Sequence, residues 1–394
     1  MGYSDFGLLT PDNIKAYDKV IRHEILNKGQ IIPKFAGTGS GTPIDIVTQL
    51  KKAPGGGTEC IIELVNRLVG DGVVLSSSGN LEGQEESMQD SNQKIRIDGI
   101  GHSVKHKGKL QAQNEIAIFR DEARIQLTDF GADRLDQLAM LTMSGISYAY
   151  NLNGSLRTKP DGKGDFLPDP TYQTLTFAAD VTAPSSLRNL MWDPLGLQLV
   201  PSNTANVTVN PAMFSYAAIV NLQAYARTHH IKPLMQGGKE WYCMLTTPFA
   251  LAMLKLDPEF QRAMIQAGVR GSENPWFTGA SVLVDGVAIH STDLCYTTTG
   301  APNGSKWGAG GLIDGARSLF LGTQALGYAD LEPWEWVEKR FQYSQHPAVF
   351  VNKMMGFKKP QFYSTTDRSI QDFGVIAFDH YTIGGGSLGV TGLI

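Results

Sequence analysis

The chain has 394 residues, 42% of them hydrophobic, enough for a sizeable core and for two or three domains. Charged residues make up only 18%, below the roughly 25% usual in globular chains, and glycine is frequent at 43. A net charge of -4 argues against a dedicated nucleic-acid binder with a basic face, though not against a protein that encloses nucleic acid. Cys60, Cys243 and Cys295 are far apart, with neither a disulfide framework nor zinc spacing, which fits a reducing compartment. The N-terminus has no basic stretch followed by an apolar run, and position 6, where a myristoylation signal needs serine or threonine, is Phe6. No apolar run reaches the roughly 18 residues that span a bilayer. A soluble, intracellular product is expected.

Taken in order, residues 1–35 open with a short helix. Thr10 caps it, Pro11 suits its first position, and Ile14, Tyr17, Ile21 and Ile25 share a face. Two glycine-rich stretches follow, Ala36–Asp45 and Gly55–Gly57, the mark of an arm that orders on contact with something else. The glycines Gly37, Gly39 and Gly41 resemble a phosphate loop, but no GK[ST] follows and Pro43 interrupts a helix start, so nucleotide binding is not expected. Glu59–Leu68 is β-rich. After a polar, acidic run to Asp90, residues 93–109 alternate at Ile95, Ile97 and Val104, with Asp98-Gly99 as a hairpin signal. This predicts a two-stranded ribbon too poor in apolar groups to stand alone.

From Gln113 to Gly145 the period is helical. Ile116, Phe119, Ala123, Leu127, Phe130, Leu138 and Leu141 form one stripe. Arg120, Asp121, Arg124, Asp133 and Asp136 form the opposite face. Such a helix is about 40 Å long. Gly131 within it costs about 1 kcal/mol against alanine and is a candidate bend point. Leu187–Leu199 is expected to be irregular. A helix is predicted from the Asn210 cap and Pro211 to His229-His230. Beyond Lys239 the pattern turns α+β: a strand at Trp241–Leu245, helices opened by Thr247-Pro248 and Asp257-Pro258, and a hairpin around Asp285-Gly286. Three strand-like stretches close the chain and are expected to return to the long helix.

Sites for chemistry are few. His102 and His106 lie in the ribbon and share no helical face, so no metal is expected, and no cofactor. His229-His230 suit a helix C-terminus. The acidic group Glu82, Glu85, Glu86 and Asp90 reads as a solvated loop tip rather than a cation site. No G-x-S-x-G elbow exists, and Ser144-Gly145 has no base that spacing shows. Trp334 and Trp336 suit core packing better than sugar or base stacking. The basic cluster Lys94, Arg96, Lys105, Lys107 and Lys109 is either a solvated face or a contact for an acidic patch on another copy, with Glu82, Glu85 and Glu86 as partners. Arm, ribbon and over-long helix are the parts of a chain whose stability depends on copies of itself.

Four landmarks carry a resemblance: FRDEARIQLTDFGADRLDQLAMLTMSG, NPWFTGASVLVDGVAIHSTD, ARSLFLGTQALGYAD and DFGVIAFD. In this order they are similar to the major capsid proteins of tailed bacteriophages, in particular the N-four-like podophage group. The resemblance implies an α+β fold of the Hong Kong 97-like phage capsid type. Residues 1–70 would be the N-terminal arm and 71–110 the extended β-ribbon loop. Residues 111–234 and 331–394 would form the peripheral domain with the spine helix, and 235–330 the axial domain. It implies hexamers and pentamers of an icosahedral shell enclosing double-stranded DNA, with scaffold, portal and decoration proteins as further partners and no membrane. A glycan-binding tail adhesin and an unfamiliar hydrolase are the competing classes.

Overall fold

The structure is a computed structural model and describes residues 11–39, 41–47, 57–62, 93–106, 119–161, 165–267, 282–341, 346–364 and 368–383. Its axis is the helix Phe119–Ser144, the described part of the long helical pattern. The apolar stripe is buried at Ala123, Leu127, Leu138 and Leu141. Towards its end the stripe widens until every residue from Leu138 to Ser144 is buried. A helix enclosed on all sides runs through a core rather than over one. Asp136, placed by periodicity on the solvent face, is therefore 2% exposed. Gly145 ends the helix with φ 67°, the left-handed conformation that glycine adopts without steric cost.

Two sheets enclose this helix. The larger has nine strands, in the order Val282–Val284, Val287–Ser291, Lys239–Thr246, Gly315–Leu321, Val375–Tyr381, Asn189–Asp193 and Gln198–Pro201. Leu234–Gln236 adds to Lys239–Thr246, and Tyr296–Thr297 to Gly315–Leu321. It is buried on both faces. Cys243, Leu245, Leu319 and Leu321 point into the cluster around the long helix. Their neighbours Tyr242, Met244 and Phe320 point into a second cluster, with helices Tyr216–Thr228, Pro248–Leu256 and Pro258–Ala267. Alternate side chains serving two cores make these strands near-continuous apolar runs.

The second sheet pairs Ala36–Gly37, Ile44–Val47, Leu326–Asp330, His346–Lys358 and Glu335–Phe341, with Asp98–Lys105 on the free edge of His346–Lys358. Residues 11–39 and 41–47 are thus built into the body. Helix Pro11–Lys28 buries Ile21 and Ile25 against the long helix, and Ile44–Val47 runs parallel to Leu326–Asp330. The partner on which this arm orders is its own chain.

Several expectations are corrected by pairing. Asp98-Gly99 is not a hairpin turn: Gln93–Arg96 pairs with Glu59–Ile62, while Asp98–Lys105 pairs with His346–Lys358. The long strand offers an edge, and the Asp98 carboxylate accepts from the amides of Gly99 (2.7 Å) and Thr176 (2.8 Å), so the chain continues extended. Of the expected ribbon, residues 71–92 and 107–110 lie outside the described residues. Leu187–Leu199 is ordered into strands Asn189–Asp193 and Gln198–Pro201. The helix predicted from Asn210 begins later. Asn210 caps only the turn Pro211–Met213, and Ser215 caps the helix proper. The last strand, Val375–Tyr381, lies between Gly315–Leu321 and Asn189–Asp193 in the nine-stranded sheet, with Val375 in the cluster around the long helix. The α+β block 235–330 therefore shares its sheet with residues 189–201 and 375–381.

Gly131 lies within an unbroken helix, and its neighbours explain it. A Cβ there would stand 2.8 Å from Ile25 Cδ1 and 3.2 Å from Trp334 Cζ2. The glycine lets the N-terminal helix and Trp334 approach; no bend is needed to account for it. Gly356 is tighter still: a Cβ would lie 2.0 Å from the Arg96 carbonyl oxygen, a backbone atom that cannot swing away. Gly356→Ala is expected to destabilise the subunit by about 1–3 kcal/mol, as measured by urea unfolding.

Candidate functional site

The polar groups of this chain are concentrated at a few buried junctions between elements distant in sequence. At the first, the Asp136 carboxylate on the long helix accepts backbone amides of the N-terminal segment: Gln30 (2.5 Å), Ile31 (3.1 Å) and Ile32 (2.9 Å). Ile32–Phe35 is one helical turn, and Asp136 takes up the amides at its start, as a capping side chain would. Burial pushes the carboxyl above its ordinary range, and the three amides work against that shift.

At the second, Arg317 and Asp379 face each other from adjacent strands, registered as a pair. The guanidinium donates through Nε (2.7 Å) and Nη2 (2.9 Å) to the two carboxylate oxygens. Its remaining arm, Nη1, donates to the Ser144 carbonyl at the end of the long helix (2.8 Å). Burial works to lower the guanidinium's pKa, but the Asp379 carboxylate outweighs it and holds Arg317 above its ordinary value. At the third, Lys359 meets Asp372 at 2.8 Å, both enclosed, and Asp372 also accepts from Gln361 (2.8 Å) and the Ser185 amide (3.1 Å). Arg120, at the start of the helix, holds Glu338 at 2.9 and 3.0 Å, and the Trp336 indole donates to the same carboxylate (3.0 Å). None of these contacts has a local signature, because the partners are brought together only by strand register and helix docking.

One buried chain has nucleophile-and-base chemistry. Thr246 Oγ1 lies 2.7 Å from Ser318 Oγ, and Ser318 Oγ lies 2.8 Å from His380 Nε2. His380 Nδ1 donates to the Tyr381 carbonyl (2.8 Å), leaving Nε2 to accept from the serine. Ser318 and His380 are both fully buried between the sheet's two cores, and the adjacent Asp379 is committed to Arg317 and Ser202. The arrangement is a satisfied polar link inside a sheet.

Three of the basic residues singled out in sequence lie among the described residues. Lys94 pairs with Glu59 (3.0 Å), Arg96 approaches Asp180 (3.9 Å), and Lys105 lies over the Phe341 ring (5.4 Å). Each of these cations has a partner in its own chain. Glu82, Glu85, Glu86, Asp90, Lys107 and Lys109 lie outside the described residues. His102 stacks on Phe130 (4.7 Å) and His106 meets Phe119 edge-on (5.0 Å). Trp334 and Trp336 are buried, as their alternation predicts. Among the described residues no group of His, Cys, Asp and Glu is arranged to hold a metal ion, and no helix is long and apolar enough to cross a membrane.

Two outcomes are expected from this geometry. Asp136→Ala leaves three amides without their acceptor. It should cost about 3 kcal/mol in urea unfolding and speed hydrogen exchange at residues 30–32. Burial lowers the His380 pKa from its ordinary value to about 4. The unfolded chain therefore takes up a proton in a range where the folded one does not. Stability is fully present above about pH 6.5 and falls by about 3 kcal/mol as pH drops towards 4. His380→Asn should flatten that part of the stability profile, measured by urea unfolding between pH 4 and 7.

Comparison with known proteins agrees with a chain organised for packing. The chain is 40% identical over 376 residues to the major capsid protein of Pseudomonas phage KPP25, covering 95% of this chain and 96% of that one. Its fold matches the capsid of Ralstonia phage GP4 with a TM-score of 0.68 at 23% identity, covering 91% of this chain and 92% of that one. It matches the capsid of cyanophage Pam1 with a TM-score of 0.64 at 15% identity, covering 89% and 91%. The phage capsid protein family matches residues 5–383, and the chain belongs to it.

Proposed function

We infer that this chain is the subunit from which a phage head shell is built, assembling with copies of itself into a container for double-stranded DNA. The match along 95% of the chain to a phage major capsid protein carries this reading. The physical design supports it: the polar chemistry is spent on joining elements, and the Ser318–His380 pair is enclosed by the core. A tail adhesin stacking sugars on Trp334 and Trp336 is disfavoured, because both indoles are buried.

We read the architecture as the Hong Kong 97-like type, with Phe119–Ser144 as the spine of a peripheral domain. The axial part in this reading is residues 235–330. Its sheet takes in residues 189–201 and 375–381, so it joins the peripheral domain through shared strands rather than a linker. Hexamers and pentamers are the assembly units of this reading. Scaffold, portal and decoration proteins are the other partners, and the host cytoplasm is the place of assembly. A net charge of -4 suits a wall that must let DNA enter and leave, since each lysine–phosphate contact adds a salt-sensitive attraction.

Electron microscopy of the expressed protein tests the reading. Closed shells or rings of five and six subunits are expected. A protein that stays monomeric under all assembly conditions and shows a defined turnover would refute it.

A further inference from the structure

One pair of cations, Arg134 and Arg157, makes no salt bridge among the described residues. Arg157 is 6% exposed, and its Nε donates to the Tyr148 carbonyl at 2.8 Å. Its guanidinium lies over the Tyr172 ring, 4.8 Å from the centroid. Arg134, on the long helix, approaches the same ring at 5.7 Å and the Phe130 ring at 5.6 Å. His102 stacks on Phe130 in turn, so a ladder of rings and cations crosses the helix. Yet Arg157 Nη2 and Arg134 Nε are buried with no hydrogen-bond partner. Burial first, and the neighbouring Arg134 charge second, lower the Arg157 pKa to about 10, so its guanidinium remains cationic at neutral pH. Asp169 is near enough to raise the Arg157 pKa in part, but it makes no salt bridge with it, and its Oδ1 accepts from the amide (3.1 Å) and hydroxyl (2.5 Å) of Thr171. Leaving a buried guanidinium N–H unpaired is costly, and a ring face offsets only part of the lost hydration.

The surroundings say what kind of group would complete the pair. Arg157 leads into a small hairpin, Thr158–Pro160 paired with Phe166–Pro168, whose residues are exposed on both strands. Leu156, Phe166 and Leu167 are 54%, 69% and 52% exposed. A hairpin of this size does not hold itself in water. Apolar anchors beside a desolvated arginine are the anatomy of a protein–protein contact, and a sugar-phosphate backbone would not cover two leucines and a phenylalanine. A guanidinium with a free N–H fits a carboxylate.

We propose that Arg134 and Arg157 receive a carboxylate from a neighbouring copy of this chain, with Leu156, Phe166 and Leu167 as the apolar rim of the contact. This rests on the shell reading above and names a surface that reading leaves open. Such a site is incomplete in the free subunit and is completed on assembly.

The test uses full-length subunits and the variants Arg134→Gln and Arg157→Lys, with circular dichroism in chloride to verify folding. Arg134 is half-buried and on the helix surface, so its variant remains informative if Arg157→Lys fails to fold. Free subunits are melted in sodium phosphate and in sodium chloride at matched ionic strength, and assembly is followed by light scattering. Phosphate is expected to raise the wild-type melting temperature and to leave both variants unmoved. Arg134→Gln is expected to raise the subunit concentration for half-assembly about tenfold or more. A phosphate response together with wild-type assembly of Arg134→Gln would overturn the proposal, because the pair would then serve a free oxyanion. Unchanged melting and unchanged assembly would overturn it as well. Failure of the wild type to assemble would sink the shell reading and the neighbour together, while the phosphate response of the free subunit still reports on the anion site alone.

Discussion

The end of the long helix sets the terms for the rest of the subunit. Leu138 to Ser144 are enclosed on every side, so the last carbonyls of the helix cannot turn to water. Gly145 lets the chain leave, and Arg317 supplies a donor to the Ser144 carbonyl. An arginine at that depth needs a carboxylate, and Asp379 supplies it from the neighbouring strand in register. One requirement thus ties the helix to the two central strands of the nine-stranded sheet. Buried ion pairs add little net stability against a well-packed apolar alternative. What this one secures is position: a one-residue slip of Val375–Tyr381 would turn Asp379 to the opposite face and leave Arg317 uncompensated.

The same logic recurs along the helix. Asp136 holds the N-terminal segment, and Arg120 holds Glu338 on the second sheet. Lys359–Asp372 joins the chain beyond that sheet to the turn at Ser185. Each polar contact sits where two packed layers meet, and the apolar clusters lie between them. A body joined at several points resists shear. That suits a wall element that must transmit load to its neighbours, and it leaves adaptability to the periphery. The peripheral features are the exposed strands Thr158–Pro160 and Phe166–Pro168 and the pair Arg134 and Arg157 with its unpaired N–H groups. They are unfinished in a single subunit for the reason that any heteropolar interface is: the missing charge and the missing apolar cover lie on another surface.

Elements whose cause is local were legible from sequence. Thr247-Pro248 and Asp257-Pro258 open helices because a side-chain acceptor and a proline at the first position do their work within one turn. Asp285-Gly286 makes a hairpin because both residues adopt positive φ, 43° and 76°, and the flanking strands pair with each other. Asp98-Gly99 carries the same signal and makes no turn. Eight residues of pairing with His346–Lys358 outweigh a dipeptide preference. Gly131 looked like a weakness for the same reason: propensity records the missing side chain but not the Ile25 and Trp334 that need its space. The candidate site was legible least of all. No local pattern marks Arg134 and Arg157, which only the fold places on one tyrosine ring.

By itself, then, the sequence determined the long helix, the helices after residue 247, some of the strands and the family. Each of these follows from periodicity, caps or linear motifs. Only the tertiary structure decided that the N-terminal segment belongs to the body, that the last strand enters the nine-stranded sheet, and that Asp136 and Arg317 are buried joints. Those outcomes depend on pairing between residues more than fifty positions apart. The free energy of such pairing comes from shared burial and strand register, which no window of sequence contains.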